Sequence, residues 1–407
     1  MTVTIQPSQA KGEVFAPPSK SMAHRLLICA ALCRGTSRVR GISDCEDVRA
    51  TLGCLKSLGI PFEVSGDCVT VWGKAITELV PNNPLYAKES GSTLRFFIPL
   101  ALLTGAEVVF TAEKSLLSRP FGVYEMLAEQ KDFTFQKTAE SITVKGPLKA
   151  GEYRVPGNIS SQFISGLLFA LPLLHGDSRI AITTAVESRS YINLTIKALS
   201  EFGVSVQWED EHTLLIPGGQ SYKSREISVE GDYSGTAFLE AMNLFSHEIS
   251  VKGLDDGSIQ GDKIYRQYFP MLSQGVPTLH IGDCPDLGPI LFAVAAAKNG
   301  GVFSGTRRLR IKESDRAEAM AKELRKFGAA VTVYEDSVVV FPTEFHAPSE
   351  PLCGHNDHRI VMALAVLLTL TGGCIQGAEA IKKSYPGFFR DLSMLGIALF
   401  ETEDIAS

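Results

Sequence analysis

The chain lacks the basic excess and the long apolar segments that several classes of protein require. Its 407 residues include 39 Lys and Arg against 45 Asp and Glu, a formal net charge of −6, which argues against a general binder of nucleic acid or membrane surfaces. Apolar runs such as residues 360–370 are too short or too interrupted to span a bilayer. The first 14 residues have neither an apolar signal region nor an Arg- and Ser-rich transit character, which predicts a cytoplasmic protein.

Recognised metal, redox and nucleotide motifs are also missing. The eight cysteines are scattered and no Cys-x-x-Cys occurs, so neither a zinc ribbon nor a thioredoxin motif is present. There is no Walker A loop, no G-x-G-x-x-G after a strand, no Ser-His-Asp set with family spacing and no metal-ligand spacing. The sequence therefore predicts no metal and no cofactor, and leaves chemistry by positioning, electrostatics and proton transfer.

What the chain does contain is a sixfold repeat in which a short polar cluster runs into a long apolar stretch. The clusters are Ser19-Lys20-Ser21, Ser90-Gly91-Ser92-Thr93, Ser160-Ser161-Gln162, Gly231-Asp232-Tyr233-Ser234, Pro285-Asp286 and Asn356-Asp357-His358-Arg359. Each is followed by a hydrophobic-x-x-x-Gly step, with Lys131 in place of the Gly in the second copy. The steps recur at spacings of 72, 72, 72, 53 and 68 residues, which indicates a repeated structural unit.

Each repeat predicts a helix, a strand, a second helix and two further strands. In the first copy these are helix 22–32, strand 37–42, helix 47–58, and a hairpin of strands 62–64 and 69–72. The first helix of each unit is apolar nearly all round, which predicts burial. The second helix is amphipathic, which predicts a position facing solvent.

The length is too great for one ordinary core, and three buried helices surrounded by outer helices and sheets would make one domain. The sequence therefore predicts an α/β protein of two similar three-unit domains. The first is residues 15–229, and the second is residues 1–14 with 230–407, because the strand at 3–6 has no unit ahead of it and completes the last one. The two crossover segments can act as a hinge, and the active site is predicted in the cleft between the domains.

Cations stand where a helix N-terminus already carries a positive dipole. They are Lys20, Arg25, Arg95, Arg119, Lys312, Arg316 and Arg359, with Lys383 just before Tyr385-Pro386-Gly387. Each one alone is most simply a solvated side chain. Together they are unfavourable at these positions unless an anion lies among them, and guanidinium groups suit carboxylates and phosphates. The pattern predicts a site for highly charged small molecules.

Two acids in this frame have alternative roles. Asp286 begins an apolar helix, where it could be an N-cap. Glu313, between Lys312 and Arg316, could be a structural ion pair. A carboxylate held among cations at a helix end is also what a proton shuttle between two anionic substrates needs. The residues alone leave both alternatives open.

At this level of detail the chain closely resembles the 5-enolpyruvylshikimate-3-phosphate (EPSP) synthase family, also called 3-phosphoshikimate 1-carboxyvinyltransferases. The resemblance covers essentially the whole length and is carried by nine segments in order. They are Pro18-Ser19-Lys20-Ser21 with Arg25, residues 90–95, Arg119-Pro120, Ser160-Ser161-Gln162, Gly231-Asp232-Tyr233-Ser234, Pro285-Asp286, residues 310–316 (RIKESDR), residues 356–359 (NDHR) and Tyr385-Pro386-Gly387-Phe388-Phe389. It implies the enolpyruvyl transferase fold of the inverted α/β barrel type, with two domains of three repeated units each.

The resemblance also implies an activity and the residues that perform it. A monomer would transfer the enolpyruvyl group of phosphoenolpyruvate to the 5-hydroxyl of shikimate 3-phosphate through a tetrahedral intermediate, in chorismate and aromatic amino acid biosynthesis. The implied residues for shikimate 3-phosphate are Lys20, Ser21, Arg25, Ser160, Ser161, Gln162, Ser188, Asp286 and Lys312. Those for phosphoenolpyruvate are Lys20, Gly91, Arg119, Gln162, Arg316, Arg359 and Lys383. The implied catalytic residues are Asp286, as the base for the 5-hydroxyl, and Glu313 with Lys20, for the proton at the methylene carbon.

Four positions depart from the common pattern of the family. Glu89 stands where Asn is usual, Ser92 where Thr is common and Phe96 where Pro is common, and Arg308 replaces an Asn upstream of the Lys-Glu pair. Glyphosate competes with phosphoenolpyruvate in this family, and Ser92 and Phe96 flank the helix that presents Gly91. The departures therefore predict altered glyphosate sensitivity.

Two other functions are alternatives. The related UDP-N-acetylglucosamine enolpyruvyl transferases typically have a loop cysteine and a Lys-Asn pair near the start, whereas this chain has Ser19-Lys20-Ser21, which suits a phosphorylated cyclitol. A non-catalytic anion-binding relative should have lost its acids before its cations, yet Asp286 and Glu313 are both present.

Overall fold

The chain forms two compact units, each with its own hydrophobic core. The computed structural model describes residues 1–82, 84–342 and 344–403. The continuous unit is Pro18–Glu230, and the discontinuous unit combines Met1–Pro17 with Gly231–Ser407.

Both units mix helices and strands throughout. Within the described ranges the helices are α1 (Lys20–Ala31), α2 (Glu46–Ser57), α3 (Gly91–Leu103), α4 (Lys114–Leu117), α5 (Gly122–Lys131), α6 (Ser161–Ala170), α7 (Arg189–Glu201), α8 (Tyr233–Met242), α9 (Tyr265–Gln274), α10 (Gly288–Ala297), α11 (Arg316–Lys326), α12 (His358–Thr371) and α13 (Phe388–Met394). The strands are β1 (Thr2–Ile5), β2 (Lys11–Phe15), β3 (Gly35–Arg40), β4 (Phe62–Ser65), β5 (Cys68–Gly73), β6 (Leu85–Tyr86), β7 (Glu107–Thr111), β8 (Thr134–Lys137), β9 (Ser141–Lys145), β10 (Gly151–Val155), β11 (Ser178–Ile182), β12 (Gln207–Trp208), β13 (Thr213–Ile216), β14 (Glu226–Ser228), β15 (Glu248–Lys252), β16 (Thr278–His280), β17 (Gly301–Ser304), β18 (Ala330–Val333), β19 (Ser337–Phe341), β20 (Leu352–Cys353), β21 (Gly373–Gln376) and β22 (Leu399–Thr402).

The described strands form six separate sheets rather than one closed barrel. Their orders are β14-β3-β5-β4, β6-β7-β9-β8, β10-β11-β13-β12, β2-β15, β16-β17-β19-β18 and β20-β21-β1-β22. The first pair of each sheet is parallel and the remaining pairs are antiparallel. Parallel neighbours need a crossover connection, and in four of the sheets a buried helix supplies it, as α6 does between β10 and β11. In these four units the repeat has a leading strand that the sequence analysis did not include, so its order is strand, helix, strand, helix, strand, strand. In the other two sheets the parallel partner comes from a distant part of the chain, since β14 pairs with β3 and β2 pairs with β15.

The fourth unit is shorter than the others because it has no hairpin. Its outer helix α9 ends at Gln274, and the next unit starts with β16 at Thr278. In the first unit, by contrast, the paired strands β4 and β5 follow the outer helix α2. The missing hairpin accounts for the spacing of 53 residues where the preceding repeats have 72.

The predicted α/β class and its pattern of burial are confirmed. Helices α1, α3, α6, α8, α10 and α12 are buried on nearly every face, whereas the outer helices keep a polar side. Strand β1 pairs with both β21 and β22, so the first strand of the chain lies in the sheet of the last unit. No helix in the described part of the chain is long and apolar enough to cross a membrane.

Candidate active site

Five of the six buried helices begin at a polar side chain that caps the first turn. The capping residues are Ser19, Ser90, Ser160, Asp232 and Asp357. Each accepts a hydrogen bond from a backbone N–H that has no partner inside the helix. The sixth helix, α10, has Leu287 as its N-cap and follows a 3₁₀ turn over Pro285–Leu287. The N-cap alternative for Asp286 is therefore wrong.

In the continuous unit, Lys20 at the start of α1 is paired with Asp47 at the start of α2. Its Nζ lies 2.8 Å from Oδ2 of Asp47, and the two side chains are 15% and 14% exposed. The carboxylate offsets the unfavourable interaction of the ammonium with the α1 dipole. Sequence reasoning missed Asp47, because an acid in the first turn of a helix is common for reasons of the dipole alone.

Arg25 is buried and held by three hydrogen bonds. Its Nε donates to Oγ1 of Thr195 at 2.9 Å, Nη1 to the carbonyl of Ser21 at 2.6 Å and Nη2 to the carbonyl of Tyr191 at 3.0 Å. The guanidinium also lies over the ring of Phe96, 5.2 Å from its centroid. Burial lowers the pKa of Arg25 to about 10, so the group is still a cation at neutral pH and is held in place by the protein.

Gly91, Ser92, Arg95, Arg119 and Gln162 converge where α3 and α6 begin. Nη1 of Arg95 donates to Oε1 of Gln162 at 2.7 Å, and Nε2 of Gln162 donates to Oγ of Ser92 at 2.9 Å. A Cβ atom on Gly91 would lie 2.8 Å from Nη1 of Arg95 and 3.2 Å from Nη1 of Arg119. Only a glycine lets the two guanidinium groups approach the backbone this closely. We call these five residues the guanidinium cluster, and its charge suits a carboxylate or a phosphate.

Three predicted serines lie at other helix starts of the continuous unit. Ser160 caps α6 and Ser161 is its first residue. Ser188 precedes α7 in a left-handed conformation, with φ 55° and ψ 42°, and is 1% exposed. This conformation costs a non-glycine residue ~1–2 kcal/mol, and such strain tends to occur at functional sites.

In the discontinuous unit, Asp286 lies among three of the predicted cations. Its Oδ1 is 2.6 Å from Nη1 of Arg316 and 3.3 Å from Nζ of Lys312, and its Oδ2 is 3.6 Å from Nη2 of Arg359. Burial disfavours the charged carboxylate, but the three cations outweigh burial and hold the pKa of Asp286 well below its usual range. The group is therefore ionised at neutral pH.

Arg316, the first residue of α11, connects Asp286 with two further acids. Its Nε donates to Oδ2 of Asp357 at 2.8 Å, and its Nη2 donates to Oε2 of Glu313 at 2.7 Å and to Oδ1 of Asp357 at 3.4 Å. With the bond to Asp286, these contacts use four of the five guanidinium N–H groups. The ion pair considered for Glu313 is thus present. Asp357 was not among the predicted site residues, and in the sequence it stood out only as a member of the cluster Asn356-Asp357-His358-Arg359.

Arg359 and Lys383 are buried in the same unit. Nε and Nη1 of Arg359 have no hydrogen-bond partner among the described residues. Leaving a buried donor unpaired costs about 1–3 kcal/mol or more, so these N–H groups favour an anionic ligand. Nζ of Lys383 donates to the carbonyl of Asn356 at 2.6 Å, which fixes the ammonium beside the start of α12.

The departures from the family pattern lie in distinct surroundings. Phe96 is buried and packs edge-on against Phe169, with ring centroids 5.3 Å apart. Glu89 lines an acidic cavity of about 400 Å³. Arg308 is buried near Lys312. Burial lowers the pKa of Lys312, and the charge of Arg308 adds to this effect against the opposing carboxylate of Asp286.

The fold is that of the enolpyruvyl transferases. The TM-score is 0.80 with the EPSP synthase of Acinetobacter baumannii, at 23% identity over 98% of this chain and 99% of that one. It is 0.78 with the enolpyruvyl transferase NikO from Streptomyces tendae, at 12% identity over 98% of each chain. At these identities the likeness shows the fold alone.

The sequence comparisons are more specific. The model of the family described as EPSP synthase (3-phosphoshikimate 1-carboxyvinyltransferase) matches residues 5–276 and 270–392. The 3-phosphoshikimate 1-carboxyvinyltransferases of Clostridium kluyveri and Clostridium perfringens are 41% and 39% identical over 97% of this chain, and over 97% and 98% of their own lengths. The chain belongs to the EPSP synthase family, so the resemblance inferred from the sequence is confirmed.

Proposed function

We propose that this chain transfers the enolpyruvyl group of phosphoenolpyruvate to the 5-hydroxyl of shikimate 3-phosphate and releases phosphate. The activity for which its family and its relatives are named supports this proposal. The structural observation that supports it is Asp286, a carboxylate that is 20% exposed and has three cations within 3.6 Å. Both substrates are multiply anionic, so clustered cations offset their mutual repulsion and orient them for reaction.

The proposed binding residues divide between the two units. For shikimate 3-phosphate they are Lys20, Ser21, Arg25, Ser160, Ser161, Gln162 and Ser188 in the continuous unit, and Asp286 and Lys312 in the discontinuous unit. For phosphoenolpyruvate they are Lys20, Gly91, Arg119 and Gln162 in the first, and Arg316, Arg359 and Lys383 in the second. The helix-start N–H groups and the buried guanidinium groups give both sets the character of an anion site.

The proposed reaction is an addition followed by an elimination. As the 5-hydroxyl oxygen bonds to C2 of phosphoenolpyruvate, its proton passes to Asp286. Glu313 and Lys20 are the residues assigned to supply the proton that the methylene carbon takes up. The product is a tetrahedral intermediate. The new methyl carbon then returns its proton, and the bond from C2 to the phosphate oxygen breaks as the vinyl group is restored. The leaving phosphate takes up the proton that Asp286 held, which regenerates the carboxylate.

Substrate binding would turn Asp286 into a better base. Without substrates, its neighbouring cations depress its pKa and make it a weak proton acceptor. Anions that bind Lys312 and Arg359 offset that positive charge, and the pKa of the carboxyl rises toward a value suited to proton transfer. Proton abstraction would then begin only when both substrates are in place.

The test is the release of phosphate from the purified chain, with both substrates and with each omitted in turn. We expect release only when both are present, and none with both would exclude the function. Asp286→Ala should lower turnover by about 10²-fold or more, the usual contribution of a general base, with little change in substrate affinity. Unchanged turnover would remove Asp286 as the base. Asp283→Ala, which removes an exposed acid nearby, is the matched control.

We also propose that the enzyme is a cytoplasmic monomer, as the family resemblance implies. Light scattering of the purified chain should then give a mass near 44.0 kDa. A mass of about twice that value would contradict the monomer.

A further inference from the structure

A buried carboxylate on α11 holds the segment that leads into α12. Glu323 is 0% exposed. Its Oε2 accepts from the backbone N–H of Cys353 at 3.0 Å and lies 2.9 Å from Nζ of Lys326, and its Oε1 lies 2.8 Å from Nε2 of His355. Burial opposes ionisation, but these hydrogen bonds and the lysine lower the pKa of Glu323. Because the carboxylate is an acceptor, Nε2 of His355 must carry the proton that it donates.

The segment held in this way, residues 353–356, has a strained backbone. His355 and Asn356 are both left-handed, with φ 49° and 52°. Each left-handed residue costs ~1–2 kcal/mol when it is not glycine, and two in succession persist only where the surroundings fix them. Glu323 bonds to the backbone N–H of Cys353 and to the side chain of His355. It therefore fixes the first residue of this segment and the first of its two left-handed residues.

The strained turn positions groups of the candidate active site. The carbonyl of Asn356 accepts from Nζ of Lys383 at 2.6 Å. Asp357 follows directly, and it accepts from Nε of Arg316 at 2.8 Å and from the backbone N–H of Arg359 at 2.9 Å. Lys383 therefore contacts the last residue of the turn, and Asp357, the residue directly after the turn, contacts the guanidinium of Arg316 and the backbone N–H of Arg359.

We propose that Glu323 is a positioning residue for phosphoenolpyruvate, which acts through His355 and the 353–356 turn without touching the substrate. The inference rests on the proposed function, since that function assigns Lys383, Arg316 and Arg359 to this substrate. Loosening the turn should weaken the capture of phosphoenolpyruvate and leave shikimate 3-phosphate unaffected, because none of the residues assigned only to shikimate 3-phosphate contacts the turn in the bonds described above.

The experiment compares the KM values of both substrates in variants of the full-length enzyme. His355 has a side chain that is 21% exposed, so His355→Ala should fold. We expect its KM for phosphoenolpyruvate to rise about tenfold or more, the factor that corresponds to one lost hydrogen bond to a charged group. Its kcat and its KM for shikimate 3-phosphate should stay within about twofold of wild type. His355→Gln can donate to Glu323 again and should recover much of the loss.

A second variant and a control separate positioning from stability. Glu323→Gln keeps the side-chain shape but loses the charge, and we expect the same selective rise in the KM for phosphoenolpyruvate. Glu240→Gln, on α8 of the same unit, removes an ion pair with Arg266, and both KM values should stay at the wild-type level.

The outcomes distinguish this inference from the proposed function. If the wild-type chain releases no phosphate, the proposed function fails and the inference falls with it. If the wild type is active but His355→Ala and Glu323→Gln retain its KM for phosphoenolpyruvate, or raise both KM values equally, Glu323 is not a positioning residue and the proposed function is unaffected.

Discussion

At the scale of single residues, Gly91 allows the guanidinium groups of Arg95 and Arg119 to lie close to the backbone at the start of α3. A Cβ at this position would lie 2.8 Å from Nη1 of Arg95, closer than real side chains pack, so the guanidinium that donates to Gln162 must shift. Because small displacements of binding groups can cost up to 10²-fold in rate, we expect Gly91→Ala to raise the KM for phosphoenolpyruvate about tenfold or more. Steady-state kinetics with each substrate varied in turn would measure this.

The control for that change is Gly122, the first residue of α5 in the same unit. The nearest atom to a Cβ there is Oε2 of Glu125 at 3.8 Å, an ordinary contact. Gly122→Ala should leave both KM values unchanged. A wild-type KM for phosphoenolpyruvate in Gly91→Ala would mean that the guanidinium cluster does not bind this substrate.

The sequence identified these residues but not their partners. Lys20 could be named from its motif, whereas its partner Asp47 lies 27 residues away and on another helix. The hydrogen bond from the backbone N–H of Cys353 to Glu323 joins residues that are 30 positions apart. Nothing in the local pattern around either residue indicates the other. Such contacts follow from how the repeats fold back on themselves, so they become visible only in three dimensions.

At the scale of elements, the sequence predicted the helices well and the sheets less completely. Long apolar stretches and polar caps are local signals, so α1 and α3 could be recognised with their first turns. The shortest of the leading strands carry almost no signal. Strand β6 has only two residues and β20 also has two, which is too short to show alternation. They form because a partner strand lies beside them.

The crossing of α3 and α6 depends on a glycine at the point of contact. A Cβ on Gly166 would lie 2.4 Å from the carbonyl oxygen of Arg95 and 2.9 Å from Oη of Tyr124. Gly166→Ala must therefore push the helices apart, and overpacking of this kind typically costs about 1–3 kcal/mol or more. Urea unfolding should show a lower free energy of unfolding.

A glycine in an open position provides the opposite expectation. Gly53, on α2, is exposed, and a Cβ added to it would have no other atom within 4 Å. Gly53→Ala should raise stability by about 0.5–1 kcal/mol, since alanine favours a helix more than glycine does. Equal stability of the two alanine variants would show that α3 and α6 are not tightly packed at Gly166.

At the scale of the whole molecule, the chain's first residues are part of a unit made mostly of its second half. Strand β1 joins the sheet of β21 and β22, and β2 pairs with β15. A buried histidine adds to this attachment of the N-terminal segment. The backbone N–H of Ala10 donates to Nδ1 of His247 at 2.8 Å, and Nε2 lies 3.2 Å from Oγ1 of Thr369 on α12. One neutral imidazole thus links the N-terminal segment to the last buried helix.

This link makes the stability of the folded chain sensitive to acid. Nδ1 must be unprotonated to accept from Ala10, and burial lowers the pKa of His247. The unfolded chain takes up a proton near pH 6.5, whereas the folded chain takes it up only at lower pH. Stability is therefore full above pH 6.5 and decreases as the pH falls toward the lower pKa of the folded state, by at most about 1.4 kcal/mol per pH unit. His247→Gln should lose stability at pH 7.5 and show a smaller further loss at pH 5.5. His24, whose pKa burial also lowers, leaves a residual slope. Urea unfolding at both values of pH measures the difference, and an unchanged slope would mean that His247 is not the acid-sensitive link.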